Sequence, residues 1–376
     1  KRLGLSLYKP AMTWPLEPEG ISEFARGLDE ILVVEEKRGL IEDQLKEIIY
    51  NVDAGSRPRV HGKRDADGSW LLRSANELDA GLVVDAMARR FGDLEGFEAV
   101  RTRANHLIQQ AKSLAQAEQA KIVRIPYFCS GCPHNSSTKV PEGSRALAGI
   151  GCHYMAQWME RDTATFTHMG GEGANWVGQA PFSKADHVFQ NIGDGTYFHS
   201  GSLAVRAAVA AGVNITFKVL YNDAVAMTGG QPMDGPLSVP RVTQQLRAEG
   251  VGKIAVVTDD PLKYPLNIDF ATGVTVHHRD ELDRVQRDIR HWEGVSAIVY
   301  DQMCATEKRR RRKRSLLEDP DLRVIINPDV CEGCGDCGAA SNCLSVTPIE
   351  TEFGRKRKID QSSCNKDYSC VNGFCP

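Results

Sequence analysis

Two periods of hydrophobicity alternate along most of the chain. Short apolar runs bounded by polar residues read as buried strands, and apolar residues spaced three and four apart read as helices. In the first 95 residues Leu3–Tyr8 and Ile31–Glu35 have strand character. Ile21–Leu28, Ile41–Tyr50 and Glu77–Phe91 have helical spacing, and a polar, glycine-rich stretch occupies Asp53–Ser69. Residues 96–121 predict one long linking helix, with a domain boundary near residue 120. Beyond it the alternation continues on a larger scale. Strands are expected at Ala146–Ile150, Ala164–Thr167, His187–Ile192, Ile215–Tyr221, Ile254–Thr258, Val274–His278 and Val295–Tyr300. Helices are expected at Gly201–Ala211, Val242–Glu249 and Glu281–Trp292. This order predicts an α/β fold with a doubly wound parallel sheet over 121–323. Residues 324–376 are short, polar and cysteine-rich, and need a staple to fold. The basic run Lys308–Arg314 before them reads as a solvated surface loop, with docking of an acidic electron carrier as the other reading.

Composition narrows the class. Of 376 residues, 41% are hydrophobic and 25% charged, which excludes a disordered or fibrous chain. A net charge of −3 gives no electrostatic case for nucleic acid. No apolar run reaches the roughly 18–20 residues that cross a bilayer, and no signal peptide is recognisable. The eleven cysteines are the abnormal feature, since seven fall between Cys331 and Cys375. Such clustering fits ligation in a reducing cytoplasm better than a secreted disulfide framework. Both ends read as cuts in a longer polypeptide.

Asn191-Ile-Gly193-Asp194-Gly195 follows a strand and precedes a helix. Glycines there let backbone approach a phosphate, and the helix start favours an anion. Asp194 adds an oxygen ligand of the kind Mg²⁺ prefers. The same triplet is also compatible with a plain tight turn. Asn222 stands 28 residues later at the end of the next strand, so one crossover would bring it beside Asp194 to share a cation. Thr228-Gly-Gly-Gln231 is a further glycine-rich turn at that sheet edge.

The tail holds two half-motifs. Cys331-x2-Cys334-x2-Cys337-x5-Cys343 aligns with Cys364-x2-Asp367-x2-Cys370-x4-Cys375. In two-cluster ferredoxins each cluster takes three cysteines from one run and the last from the other. Crossing the halves assigns Cys331, Cys334, Cys337 and Cys375 to one [4Fe-4S] cluster. Cys343, Cys364, Cys370 and Asp367 remain for a second centre, which could be a labile [4Fe-4S], a [3Fe-4S] or empty. The gaps of five and four depart from the usual run, and zinc is the competing use of four cysteines.

Taken together, Gly193-Asp-Gly-Thr-Tyr-Phe-His199-Ser-Gly201, Phe128-Cys129-Ser-Gly-Cys132-Pro-His134, Gly149-Ile-Gly-Cys152 and Thr228-Gly-Gly-Gln231 resemble the 2-oxoacid:ferredoxin oxidoreductases. The likeness is greatest to the indolepyruvate:ferredoxin oxidoreductases in their long fused form. Met12-Thr-Trp-Pro-Leu-Glu-Pro with Ile31–Lys37 resembles the transketolase C-terminal-like domain of that family. The resemblance implies such a domain over 1–120, a thiamin-diphosphate-binding domain over 121–323 and a ferredoxin-like iron–sulfur tail over 324–376. It implies Mg²⁺ held by Asp194, Asn222 and the carbonyl of Ala224, with Gly193, Gly195, Thr196 and Thr228 at the diphosphate. Cys132, Pro133, His134 and Cys152 match stretches near the cofactor. For Cys129 and Cys152, simple packing stays open, as does a zinc site from Cys129, Cys132 and His134; Cys304 reads as structural. Cys132, His134 and His199 are the candidate catalytic groups, with His199 either touching diphosphate or capping a helix. The implied reaction is oxidative decarboxylation of an aryl 2-oxo acid to an acyl-coenzyme A, electrons leaving through the cluster to ferredoxin. Pyruvate or 2-oxoglutarate as substrate is the sister reading, and an electron-transfer module on an inert scaffold is a reading of another class. The implied pyrimidine-binding domain has no counterpart here and is expected elsewhere in a longer chain. A homo-oligomer is expected.

Overall fold

The computed structural model describes residues 4–116, 125–233 and 235–375. It divides into two compact units, Lys1–Val123 and Arg124–Pro376. The expected boundary near residue 120, and the end of the linking helix beyond Gln116, lie outside the described residues.

In the first unit a short parallel pair, Glu30–Leu32 with Arg59–His61, is flanked by helices Pro18–Ala25, Leu40–Ile49, Ala80–Phe91 and Glu98–Gln116. Ile21, Ala25, Ile31, Leu45 and Ile49 form its small core. Arg90 holds both oxygens of Glu30, at 2.7 and 2.8 Å, and also reaches Asp65 at 2.6 Å. The expected strand at Leu3–Tyr8 does not form: residues 4–8 pair with no strand. Conversely, Arg59–His61 is a strand inside the stretch that reads as polar loop.

The second unit is built on a seven-stranded parallel sheet. Its spatial order is Thr163–Ala164, Ala146–Leu147, Val188–Gly193, Ile215–Tyr221, Val295–Asp301, Lys253–Thr258, Thr275–His278. Each of the seven expected strands has a counterpart, but those expected at Ala146–Ile150 and Ala164–Thr167 shrink to the two-residue pieces Ala146–Leu147 and Thr163–Ala164. Both faces are covered, so the three central strands are almost wholly buried and carry unbroken apolar runs. Leu147, Trp176, Ile192, Phe217 and Val299 pack on one face; Phe189, Leu220, Val257, Ile298 and Tyr300 pack on the other. The sheet order reverses between Ala146–Leu147 and Val188–Gly193, and the loops leaving the carboxyl ends there form a crevice.

Lys308–Arg314 departs from expectation. It belongs to a helix, Ala305–Lys313, and is not a loop. The helix has no apolar stripe, and polar contacts fix it instead. Arg310 donates to the Gly229 carbonyl at 3.0 Å, Arg311 reaches Asp223 at 3.0 Å, and Arg312 donates to the Asn365 carbonyl at 2.9 Å. The cysteine-rich segment contains a short helix, Asp336–Ser341, and an antiparallel hairpin of Val346–Thr351 with Gly354–Ile359. Among the described residues no helix is long and apolar enough to cross a membrane.

Candidate functional site

Three strand ends meet at the crevice. The central one passes from strand to helix without a loop: Val188–Gly193 leads directly into Asp194–Thr196, then a π-helical turn Tyr197–Gly201, then helix Ser202–Ala211. Such turns within α-helices recur at functional sites because they redirect side chains. The turn forms where Gly201 sits on Ile192; a Cβ there would lie 2.4 Å from the isoleucine.

Asp194 is buried, and its carboxylate is held from both sides. Oδ1 accepts from the Gly195 N–H at 2.8 Å; Oδ2 accepts from the N–H groups of Asn222 at 2.8 Å and Asp223 at 3.0 Å. Burial pushes its pKa up to about 6 despite those three donors, so the site strains to hold the negative charge. The Asn222 turn is reached through Asp223 at φ 60°, a left-handed conformation uncommon for a residue with a side chain. Asn222 Oδ1 is buried without a hydrogen-bond partner, and so are both side-chain polar atoms of Asn191 on the neighbouring strand. A buried carbonyl oxygen beside a buried carboxylate is a donor set for a hard cation such as Mg²⁺.

These groups open onto a cavity of about 250 Å³. Its wall includes Gly193, Asp194, Gly195, Thr196, His199, Asn222, Ala224, Thr228, His134 and Cys152. The structure therefore gathers residues from five separate segments singled out in the sequence. Cys132 and Pro133 are not part of the wall. His199 lies inside the π-helical turn rather than at a helix start, and its Nδ1 is 2.9 Å from Ser200 Oγ, so it caps nothing. Thr228 is exposed at the rim and bonds Gln231 at 2.7 Å.

His153 also lines the cavity and was not legible as a site residue. It is buried, its Nε2 has no partner, and its ring lies 5.5 Å from that of His134. Burial lowers the pKa of both imidazoles, that of His134 to about 4, so both are neutral at pH 7. The only sequence cue was adjacency to Cys152. A second feature missed was the convergence of Cys129, Cys132, Cys152 and Cys304. Burial raises the pKa of the Cys132 and Cys152 thiols, that of Cys152 to about 11, and the neighbouring thiols raise them further. Cys304 thus lies near enough to Cys132 and Cys152 to oppose their ionisation, and of the four only Cys152 lines the cavity. Spacings of up to 175 residues hid it.

In the tail, Cys331, Cys334, Cys337 and Cys375 line one cavity of about 280 Å³, with Cys370 also at its wall. Cys343, Cys364 and Cys370 border a second, far smaller one of about 20 Å³. The four thiols assigned to the first centre thus share one wall, a donor set that suits an iron–sulfur cluster. Among the described residues no three His, Cys, Asp or Glu side chains converge closely enough to hold a single metal ion. Asp367 borders the smaller cavity, but its carboxylate pairs with Arg279 at 2.5 Å.

Residues 149–299 match the family model described as thiamine pyrophosphate enzyme, C-terminal TPP binding domain. Over that segment the chain is similar to thiamin-diphosphate enzymes. Residues 1–121 match the indolepyruvate oxidoreductase domain. The chain is 26% identical to the indolepyruvate oxidoreductase subunit IorA of Thermococcus kodakarensis, over 99% of this chain and 56% of that protein. It is also 26% identical to the subunit of that name from Pyrococcus abyssi, over 96% of this chain and 54% of that one. The chain spans about half the length of the curated relatives it matches. Among solved structures, a 2-oxoglutarate:ferredoxin oxidoreductase from Magnetococcus marinus aligns at 15% identity and a TM-score of 0.37, covering 68% of this chain and 88% of that one.

Proposed function

We propose that this chain supplies the diphosphate- and Mg²⁺-binding half of a thiamin-diphosphate-dependent 2-oxoacid oxidoreductase, together with an iron–sulfur relay. The observation that carries the reading is the partnerless, buried Asn222 Oδ1 beside the clamped Asp194 carboxylate in the glycine-lined crevice. Asp194, Asn222 and the Ala224 carbonyl would hold Mg²⁺, and Gly193, Gly195, Thr196 and Thr228 would face the diphosphate. When bound, thiamin diphosphate supplies the electron sink for decarboxylating a 2-oxo acid. The chain's own residues shape the reaction around it. His134 and His153, neutral and desolvated, offer hydrogen-bonding nitrogens to an incoming carboxylate or keto oxygen without adding charge. Ile150, Met169, Val225 and Met227 would give the cavity an apolar lining beside the reacting atoms.

The proposed reaction of the whole enzyme is oxidative decarboxylation of an aryl 2-oxo acid to an acyl-coenzyme A and CO₂. The names of the relatives support the indolepyruvate type over pyruvate or 2-oxoglutarate. Electrons would pass to a [4Fe-4S] cluster on Cys331, Cys334, Cys337 and Cys375 in a ferredoxin-like tail, then to ferredoxin. Residues 1–120 would form the transketolase C-terminal-like domain. The pyrimidine-binding domain would lie elsewhere in a longer, cytoplasmic, homo-oligomeric enzyme. The test is calorimetric titration of the full chain with thiamin diphosphate and Mg²⁺. Saturable, Mg²⁺-dependent binding that Asp194→Ala abolishes is expected; binding indifferent to Mg²⁺ and to Asp194 would overturn the reading.

A further inference from the structure

Alignment of the two cysteine runs puts Asp367 where a ligand cysteine would stand. The structure gives that carboxylate other partners. Oδ1 accepts from Arg279 at 2.5 Å and from the Gln302 side-chain amide at 2.8 Å, and Oδ2 accepts from Ser369 at 2.5 Å. The second Arg279 nitrogen donates to the Asp367 backbone carbonyl at 2.7 Å. Arg279 and Gln302 are not tail residues. They follow strands Thr275–His278 and Val295–Asp301 at the carboxyl edge of the large sheet. Both members of the ion pair are largely buried, at 11% and 13% side-chain exposure, so water does not weaken the attachment.

The surrounding contacts serve the same attachment. Asn365 donates to the Ser130 carbonyl at 2.8 Å, and Ser345 reaches the Ser130 hydroxyl at 2.7 Å. Gly131, at φ 68°, leaves room for Asp367: a Cβ on it would lie 2.7 Å from the Asp367 Cβ. A carboxylate has about four acceptor positions. Three are occupied here, two of them on the oxygen facing Arg279. A harder oxygen ligand is also a poor substitute for thiolate at an iron–sulfur centre.

We propose that Asp367 is the clamp that fastens the cysteine-rich segment to the sheet edge, and that the second tail centre has only three protein ligands, Cys343, Cys364 and Cys370. Such a site takes an iron–sulfur cluster whose fourth iron has no protein ligand and is lost readily, leaving a [3Fe-4S] core. The substitution of cysteine by Asp thus exchanges a ligand for a fastening. This rests on the reading of the tail as an iron–sulfur segment.

The test uses the full chain, reconstituted anaerobically as wild type, Asp367→Asn and Arg279→Met. Iron and sulfide are counted, spectra are recorded by electron paramagnetic resonance after mild oxidation, and proteolysis of the segment between the sheet and Cys331 is timed. The expected wild type holds roughly seven irons, four plus three, and shows the half-integer-spin signal of an oxidised [3Fe-4S] cluster. Both variants should keep that signal and release the tail to protease several-fold faster, to equal extents. Roughly eight irons in wild type, or a signal altered by Asp367→Asn and preserved by Arg279→Met, would make Asp367 a ligand and overturn the proposal. A preparation with no iron–sulfur absorption at all would instead sink the underlying reading of the tail.

Discussion

Asn222→Ala separates binding from stability in a way few substitutions can. The side-chain oxygen it removes is buried and unpaired, and an unsatisfied buried acceptor costs about 1–3 kcal/mol. The backbone roles of Asn222 survive in alanine: its N–H still donates to Asp194 and its carbonyl still accepts from Cys304. Loss of a few packed atoms offsets part of the gain. The variant without cofactor should therefore be as stable as wild type or about 1 kcal/mol more stable, a rise of about 2–4 °C in Tm for a unit of this size. Cofactor should reverse the order. At a hundredfold excess over its Kd, thiamin diphosphate with Mg²⁺ stabilises wild type by about 2.7 kcal/mol. If the missing oxygen weakens binding a hundredfold, the same concentration stabilises the variant by only about 0.4 kcal/mol. Thermal unfolding of both proteins, with and without the pair of ligands, reads all four numbers. A variant that melts well below wild type without ligand, yet shows the full ligand-induced shift, would refute the reasoning, because Asn222 would then be structural.

Asp194→Ala should behave oppositely. It leaves the N–H groups of Gly195, Asn222 and Asp223 without their acceptor, and unfolding in urea should show a loss of about 3 kcal/mol or more. Stability should rise with pH in two windows. Buried His134 and half-buried His187 have folded pKa values near 4, below the ordinary 6.5, so the unfolded chain binds more protons between those limits and stability falls as pH drops through them. Lys218, fully buried in a central strand and depressed to about 7, does the same between about 7 and 10.5. Each group contributes a slope of about 1.4 kcal/mol per pH unit; denaturant melts across pH should lose the upper slope in Lys218→Met. Cys334→Ser should remove about four irons per chain from the reconstituted protein, and unchanged iron content would exclude Cys334 from the first centre.

The parts of the fold that were legible are those whose order is set locally. Ile215–Tyr221 and Val295–Tyr300 announce themselves because a parallel strand buried on both faces must be apolar throughout. Asp194 and Asn222 were legible for a related reason: one strand–helix–strand crossover fixes where the ends of adjacent strands fall, so a spacing of 28 residues becomes a juxtaposition. Arg59–His61 has a single apolar residue and becomes a strand only by pairing with Glu30–Leu32. The four cysteines of the α/β portion, and the docking of Asp367 on Arg279, depend on chain segments far apart in sequence, and no local pattern encodes them.

Helix Ala305–Lys313 makes the same point with a functional edge. A run of basic residues reads as solvated because nothing within it demands burial. Its position comes from what it binds on either side. Arg311 braces Asp223 beside Asn222, and Arg310 braces the glycine turn after Thr228. On the other side Arg312 holds Asn365, next to Cys364, in the segment that Asp367 clamps. One helix thus ties the Asn222–Asp223 turn of the crevice to the cysteine-rich tail through side chains rather than an apolar face. The charges that looked like a surface feature are the connection between the two candidate centres.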